Sequence, residues 1–190
     1  MTAPTSAPSS APMKGTATLW KIDPTHSSAE FSVKHLMITS VKGQFRTLSG
    51  TVTIDAAHSS EPKVDILIDA ASITTHNEQR DTHLRSPDFF DVARYPTLHF
   101  VGAHVEGDVT GEFRLTGDLT IRGVTKRVTL LANAEGEGPD PWGGYRSGFS
   151  ASAKIRRADW GLTWNQALEA GGVVVGDEVK IMIDVQLVRA

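Results

Sequence analysis

The sequence predicts an all-β domain of about eight antiparallel strands. From Thr18 onward, apolar and polar residues alternate along many short stretches, and a period of two places successive side chains on opposite faces of a strand. Turn-forming Gly, Pro, Asn and Asp residues separate these stretches. One apolar and one polar face on successive strands is typical of antiparallel sheets. So many twisted strands curl into a sandwich or a barrel, and periodicity alone does not decide between the two.

Eight stretches carry this pattern with different clarity. In the stretch 113–121, apolar Phe113 and Leu119 share one parity, whereas Arg114 and Asp118 share the other. Equally clear alternation is found in the stretches 29–33, 149–155 and 179–187. Weaker alternation marks the stretches 45–54, 64–70, 97–105 and 128–134. Each of the eight is predicted as one strand.

Two segments depart from the strand pattern. Thr75 and Glu78 have the spacing of a capping box, and Pro87 follows where a helix would end. These signals predict a short helix from about His76 to Arg85. The segment 135–148 is rich in Gly and Pro and is predicted as a long hairpin loop.

The chain of 190 residues is long enough for one domain with a sizeable core. Residues 1–16 begin with a run of only Ala, Pro, Ser and Thr after Met1, which cannot bury enough apolar surface to offset the entropy of ordering. We therefore expect a disordered tail at 1–16 and a β-domain at 17–190.

Composition excludes several classes of protein. With a net charge of -3, the chain has no basic excess to neutralise nucleic acid phosphates. It has no apolar run long enough for a transmembrane segment, and the absence of cysteine rules out disulfides and thiolate metal sites. The first residues have neither the cationic start nor the apolar core of a secretory signal, so we expect a cytoplasmic location.

The seven histidines do not form a recognisable metal motif. His76 and His83 would lie two turns apart on the predicted helix, a separation of about 10 Å that is too long for two ligands of one ion. The chain has no H-E-x-x-H sequence. We therefore expect no metal site and no cofactor.

Acidic and basic residues are concentrated around the predicted helix. Asp81 and Asp88 lie among Arg80, Arg85 and Arg94. Two of the carboxylates could act as an acid and a base, but opposite charges at such short spacings also form local ion pairs. Local ion pairing is the favoured interpretation, so we expect no catalytic residues. The alternative is an enzyme that acts on an apolar substrate with Asp and His groups of 76–91.

The interior could be filled or hollow. Small barrels are usually packed with their own side chains, and the phenylalanines could fill such a core. Three inward positions carry small residues, however, namely Gly117, Ala151 and Ala153. Small inward residues would leave room for a ligand.

Ordered motifs give the chain a resemblance to a known family. Seven motifs follow one another along the chain: Ile22-Asp23-Pro24-Thr25-His26-Ser27, Phe31-Ser32-Val33-Lys34-His35-Leu36, Val41-Lys42-Gly43-Gln44-Phe45, Arg80-Asp81-x-His83-Leu84-Arg85-Ser86-x-Asp88-Phe89-Phe90-Asp91, Tyr95-Pro96-Thr97, Gly117-Asp118-Leu119-Thr120-Ile121-Arg122-Gly123 and Arg157-x-Asp159-x-Gly161-Leu162. In this order they resemble the YceI-like family, and the resemblance covers about 19–188.

The resemblance implies an eight-stranded antiparallel lipocalin-like barrel with a short helix and a long internal apolar pocket. It also implies binding of an isoprenoid lipid, such as a polyprenyl chain or an isoprenoid quinone, for carriage, storage or sequestration. Many members are periplasmic, and a homodimer is expected by analogy and because two-fold oligomers are common. The predicted ligand-binding residues are Phe31, Val33, Leu36, Phe45, Phe89, Phe90, Phe100, Leu119, Phe149, Leu162 and Trp164, with His26, His35, Arg80 and Asp81 as polar groups at the rim or in buried supports.

Overall fold

The computed structural model describes residues 17–55, 58, 60–168 and 171–190. The tail predicted at 1–16 lies outside these residues. The strands are β1 (Ala17–Ile22), β2 (Ser28–His35), β3 (Thr39–Phe45), β4 (Leu48–Asp55), β5 (Lys63–Asp69), β6 (Ile73–Thr74), β7 (Thr97–Gly107), β8 (Glu112–Ile121), β9 (Val124–Pro139), β10 (Tyr145–Arg156) and β11 (Val175–Arg189). The helix α1 spans Glu78–Arg85, and 3₁₀ turns span Ala70–Ser72 and Arg157–Trp160.

These segments form a closed barrel of eight antiparallel strands. β1 and β2 follow one another along the same side of β11. β3 and β4 pair with β2 and β1, and β6 and β5 pair in turn with β3 and β4. The barrel thus has three interrupted strands, which consist of β1 and β2, of β3 and β4, and of β5 and β6. The other five strands of the barrel are β7 to β11. The predicted eight-stranded antiparallel barrel is confirmed.

The interruption between β3 and β4 corrects one predicted strand. The stretch 45–54 was expected to be continuous, but the chain turns at Arg46 and Thr47. Their amides donate to the Ser72 hydroxyl, at 3.1 and 3.2 Å, instead of joining a regular strand ladder. Ser72 belongs to the 3₁₀ turn that interrupts the neighbouring strand, so the two breaks stabilise each other.

The helix α1 is present, but its predicted cap was wrong. The Asn77 side chain accepts from the Arg80 amide at 2.9 Å and is the N-cap, so the helix begins at Glu78. His76 has a positive φ of 59° and lies outside the helix. The Thr75 amide and hydroxyl are instead bonded to the Asp81 carboxylate.

The long hairpin loop predicted at 135–148 was also wrong. β9 continues to Pro139 and β10 begins at Tyr145, so only 140–144 form the connection. The Asp140 carboxylate accepts from the amides of Trp142 and Gly144, which fixes a tight turn. Gly136, Gly138 and Gly148 therefore lie within the two strands, and a register shift occurs between Gly148 and Phe149.

One end of the barrel is covered by packed side chains. We call it the helix end, because the segment that follows β6 places Phe89 there, in one buried cluster with Leu98 and Ile121. Trp160 packs into the same cluster, and its indole N–H donates to the Leu119 carbonyl at 3.0 Å. The other end, with the β7–β8 and β9–β10 turns, is called the opposite end. No helix in the described part of the chain is long and apolar enough to cross a bilayer.

Candidate functional site

A cavity of about 700 Å³ occupies the barrel interior. Its lining extends from Val109 and Phe113 at the opposite end to His35 and Leu84 at the helix end. Because side chains alternate across each strand, the inward parity of the barrel strands provides most of the wall. That parity is almost entirely aliphatic and aromatic, so the interior is a hollow apolar chamber.

The cavity wall is packed more tightly on one side of the barrel than on the other. Inward residues on β7 and β8, such as Phe100 and Leu119, line the cavity and are buried. Inward residues on β11, such as Val179, Ile181 and Ile183, also line the cavity and are only half-buried. The cavity therefore adjoins all three strands.

Twelve of the predicted site residues lie in the cavity wall. They are Phe31, Val33, His35, Phe45, Arg80, Phe89, Phe90, Phe100, Leu119, Phe149, Leu162 and Trp164. The wall also includes inward aliphatic residues that were not predicted individually, among them Val52, Ile66, Ile181 and Ile183. Their parity on the predicted strands could have identified them.

Three predicted site residues lie elsewhere. His26 is exposed, and its Nδ1 lies 2.9 Å from the Asp23 carboxylate. Leu36 lies in the turn between β2 and β3. Asp81 is buried behind the cavity wall and contacts Thr74 and Thr75.

Of the small inward residues, Ala151 faces the cavity. Gly117 does not provide space for a ligand, because a Cβ there would lie 2.5 Å from the Phe100 ring and 2.5 Å from the Val101 carbonyl oxygen. The absent side chain accommodates the ring of Phe100. The interpretation of Gly117 as ligand space was therefore wrong, and its role is in packing.

Asp81 is a buried carboxylate held by hydroxyl and amide donors. Burial by itself would raise the pKa of Asp81, but hydrogen bonds from Thr75 and Thr74 outweigh burial and lower the pKa below its ordinary value of 3.8. The Thr75 amide donates at 2.8 Å and the Thr74 hydroxyl at 3.0 Å. Asp81 thus fixes the connection between β6 and α1.

Replacing Asp81 with asparagine is expected to destabilise the fold by about 2 kcal/mol at neutral pH, because charge-assisted hydrogen bonds are lost. A lowered folded-state pKa gives stability that is present above the unfolded pKa and lost as pH falls through the folded pKa. The difference between wild type and Asp81→Asn should therefore shrink below about pH 4. Urea unfolding across this range measures it. Asp88→Asn, at an exposed carboxylate of the same segment, serves as the control, and a pH-independent difference would contradict the assignment.

Polar groups are concentrated at the helix end of the cavity. His35, Gln79 and Arg80 belong to the lining there. The Arg80 guanidinium donates to the Thr75 hydroxyl at 2.7 Å and to the Thr75 carbonyl at 3.1 Å. Asp81 therefore positions Thr75, and Thr75 positions Arg80 at the cavity. A polar end group would meet these side chains, whereas an apolar chain would occupy the remainder.

Arg157 also lies at this end and was not predicted as a site residue. It is buried and donates to the carbonyls of Gly176, Leu162, Trp164 and Val175. Burial lowers the pKa of this guanidinium, and the charge of Asp177 opposes the shift. The motif around Arg157 marked the position, but no local pattern shows that its partners are backbone carbonyls.

His83 forms an aromatic cluster at the cavity wall. Its ring makes edge contacts with Phe89 and Trp164, with centroids 5.1 and 4.7 Å apart. Its Nε2 lies 2.9 Å from the Asp88 carboxylate. Within the described ranges, no three His, Asp, Glu or Cys side chains are grouped as metal ligands.

A family model described as the YceI-like domain matches residues 20–187, which includes nearly every strand of the barrel. The chain belongs to the YceI-like family. Among its YceI-like relatives, a UPF0312 protein of Shewanella denitrificans is 43% identical over 137 residues, covering 72% of each chain. Protein YceI of Salmonella newport is 39% identical over 166 residues, covering 86% of this chain and 82% of the relative.

Solved structures agree with the YceI-like fold. A Campylobacter jejuni YCEI protein superposes with a TM-score of 0.67 at 35% identity, covering 80% of this chain and 87% of that one. A polyisoprenoid binding domain from Saccharophagus degradans, implicated in plant cell wall breakdown, superposes with a TM-score of 0.68 at 17% identity, covering 90% and 98%. At that identity the second comparison establishes the fold alone.

Proposed function

We propose that this YceI-like protein binds one long-chain isoprenoid lipid inside the barrel, for carriage, storage or sequestration. The observation that carries the proposal is the hollow apolar cavity of about 700 Å³. A methylene group and a water molecule are similar in size, and each water occupies about 30 Å³ in the liquid. The cavity therefore has room for on the order of twenty such groups.

The energetics favour a chain without strong polar contacts. Burying each methylene contributes about 0.8 kcal/mol, so twenty such groups supply roughly 16 kcal/mol before the costs of immobilisation, which are about 4–15 kcal/mol. Specificity then depends on the length and width of the cavity. His35, Gln79 and Arg80 supply polar contacts for a head group at the helix end.

The isoprenoid class is supported by the described binding of the Saccharophagus degradans domain, whose fold is shared. Methyl branches also suit a wall of branched and aromatic side chains, such as Val33, Ile181 and Phe149. A straight acyl chain would leave gaps beside such a wall.

Lipid extraction tests the proposal directly. Organic extracts of the purified protein are expected to contain a polyprenyl lipid or an isoprenoid quinone at close to one molecule per chain, as identified by mass spectrometry. Added polyprenol should displace a fluorescent fatty acid from the protein, and a straight-chain alcohol of equal length should do so less well. A lipid-free extract together with no binding of added polyprenol would exclude the proposal.

An enzyme acting on an apolar substrate is the second candidate. It is favoured by one observation, the His83–Asp88 pair beside the cavity. In that case His83→Asn should abolish turnover of a bound lipid while the protein still folds and retains it. Lipid recovered unchanged from both wild type and variant would favour the carrier.

The homodimer and the cytoplasmic location stay predictions. Small-angle scattering of the purified protein would give the mass of the particle, and a monomeric mass would contradict the dimer. Fractionation of cells that express the full-length protein would locate it.

A further inference from the structure

The turn between β2 and β3 presents a cluster of exposed apolar side chains. Met37 is 60% exposed and Ile38 is 78% exposed, and Leu36 and Val173 are each 36% exposed. The Leu36 amide donates to the Val174 carbonyl at 2.9 Å, which joins the turn to the segment that precedes β11. We call Leu36, Met37, Ile38 and Val173 the apolar tip. Contiguous exposed apolar residues of this kind mark an interaction site.

The backbone of this turn makes the apolar residues unexpected. Leu36 and Met37 both have positive φ, at 52° and 58°, and the Ile38 amide donates to the His35 carbonyl at 3.1 Å. This is the geometry of a type I′ hairpin turn, in which Asn-Gly is strongly preferred. Branched or long apolar side chains at these positions are conformationally costly and gain little burial. A role outside the folded chain explains their presence.

Three exposed lysines lie on the strands next to the apolar tip. Lys34 precedes Leu36 by two residues on β2, Lys42 follows Ile38 by four residues on β3, and Lys180 lies on β11 opposite Ser32. In the part of the chain that the structure describes, none of the three is ion-paired. The chain as a whole carries a net charge of -3. The local positive charge is therefore suited to an anionic surface.

The apolar tip adjoins the polar end of the cavity. His35 immediately precedes the turn, and the Val174 carbonyl accepts from the Leu36 amide. His35 and Val174 both line the cavity. Beyond the pairs that Gln44 and Phe45 make with β6, β3 pairs with β2 alone among the described strands. The β2–β3 hairpin is thus an arm beside the cavity.

We infer that the apolar tip inserts into an anionic lipid bilayer and that Lys34, Lys42 and Lys180 contact the head groups. Apolar side chains flanked by lysines are the composition that binds membrane interfaces. This arrangement places the polar end of the cavity next to the membrane. A role of docking in lipid loading rests on the proposed function, whereas docking itself does not.

Vesicle binding by the full chain tests the inference. Wild type is expected to sediment with vesicles of phosphatidylcholine and phosphatidylglycerol, and less with phosphatidylcholine alone. The triple variant Leu36→Asn, Met37→Gly, Ile38→Thr should bind the anionic vesicles about tenfold less tightly or weaker, because its buried apolar area is lost. Since Asn-Gly suits the turn, its Tm should be equal or higher, which separates lost docking from misfolding.

Two further variants sharpen the test. Lys34→Gln with Lys42→Gln should lose about fivefold in affinity per lysine on anionic vesicles and little on neutral ones. Trp142→Ser removes an apolar side chain that is 82% exposed at the opposite end, and it should bind vesicles as wild type does.

Two results would overturn the inference. One is wild-type vesicle binding by the triple variant. The other is no vesicle binding by wild type together with a change of oligomeric mass in the triple variant, which would make the tip a contact between two copies. Lipid extraction and polyprenol binding distinguish the two proposals. Lipid-loaded protein that does not bind vesicles contradicts docking alone. Lipid-free protein that binds vesicles but not added polyprenol contradicts the cargo alone.

Discussion

A tryptophan in place of Ala151 is expected to empty the barrel of lipid. Ala151 lies on β10 between Ala132 and Ile183 of the neighbouring strands, and all three line the cavity. The interior of an eight-stranded barrel is just wide enough for side chains to fill. An indole at this point would cross the lumen and divide the cavity. Displacing only a few methylene groups already exceeds the 1.4 kcal/mol that corresponds to tenfold in affinity.

The measurement is the amount of lipid extracted per chain, which should fall at least about tenfold relative to wild type. Ser152→Trp is the matched control, because Ser152 is the next residue of β10 and is exposed on the outer face. It should retain wild-type lipid content. Added bulk inside a packed site costs about 1–3 kcal/mol, so both variants are compared by thermal unfolding. Full lipid content in Ala151→Trp would show that the cargo lies elsewhere.

Replacing Arg157 with methionine is expected to cause the largest loss of stability, about 3–5 kcal/mol. The methionine fills similar volume, but it leaves four carbonyl oxygens without their donor. Those carbonyls belong to the segment around Leu162 and Trp164 and to the start of β11. Loss of the hydrogen bonds to these carbonyls should loosen the helix end of the barrel. It should also lower the free energy of unfolding, as measured in urea.

The adjacent residue provides the control. Arg156 is exposed and paired with Asp177 across a surface contact of 2.8 Å. Arg156→Met should leave the urea midpoint nearly unchanged, because solvent-exposed ion pairs contribute little. Equal effects of the two substitutions would mean that the carbonyl contacts of Arg157 are not what stabilises this region.

The strands and their inward residues could be predicted because alternation is a local property of each segment. Phe113, Leu119 and Ile181 have the parity that the sequence predicts. The interruption between β3 and β4 could not be predicted, because the break at Arg46 depends on Ser72, which is distant in the chain. The glycine-rich segment after Glu135 was misassigned since glycine signals a loop and a twisted strand alike.

The cavity itself was predictable only through family resemblance. Gly117 and Ala151 are both small and inward, yet one adjoins the Phe100 ring and the other faces empty space. Which outcome applies depends on the neighbouring strand, and composition does not contain that information. The capping box failed for a related reason, because Thr75 bonds to Asp81 in a tertiary contact that competes with the local one.

The closure of the barrel has a consequence for how the chain acquires its structure. β1 meets β11 through three register pairs, of which Ile22 and Leu187 are separated by about 165 positions in the chain. Contacts so distant in sequence slow folding, because the entropy of closing the loop is lost before the contacts form. During synthesis, the ring cannot be completed until β11 has left the ribosome. Until then the apolar inner faces of the earlier strands remain exposed to water, so the nascent chain is most prone to aggregate just before its last strand is made.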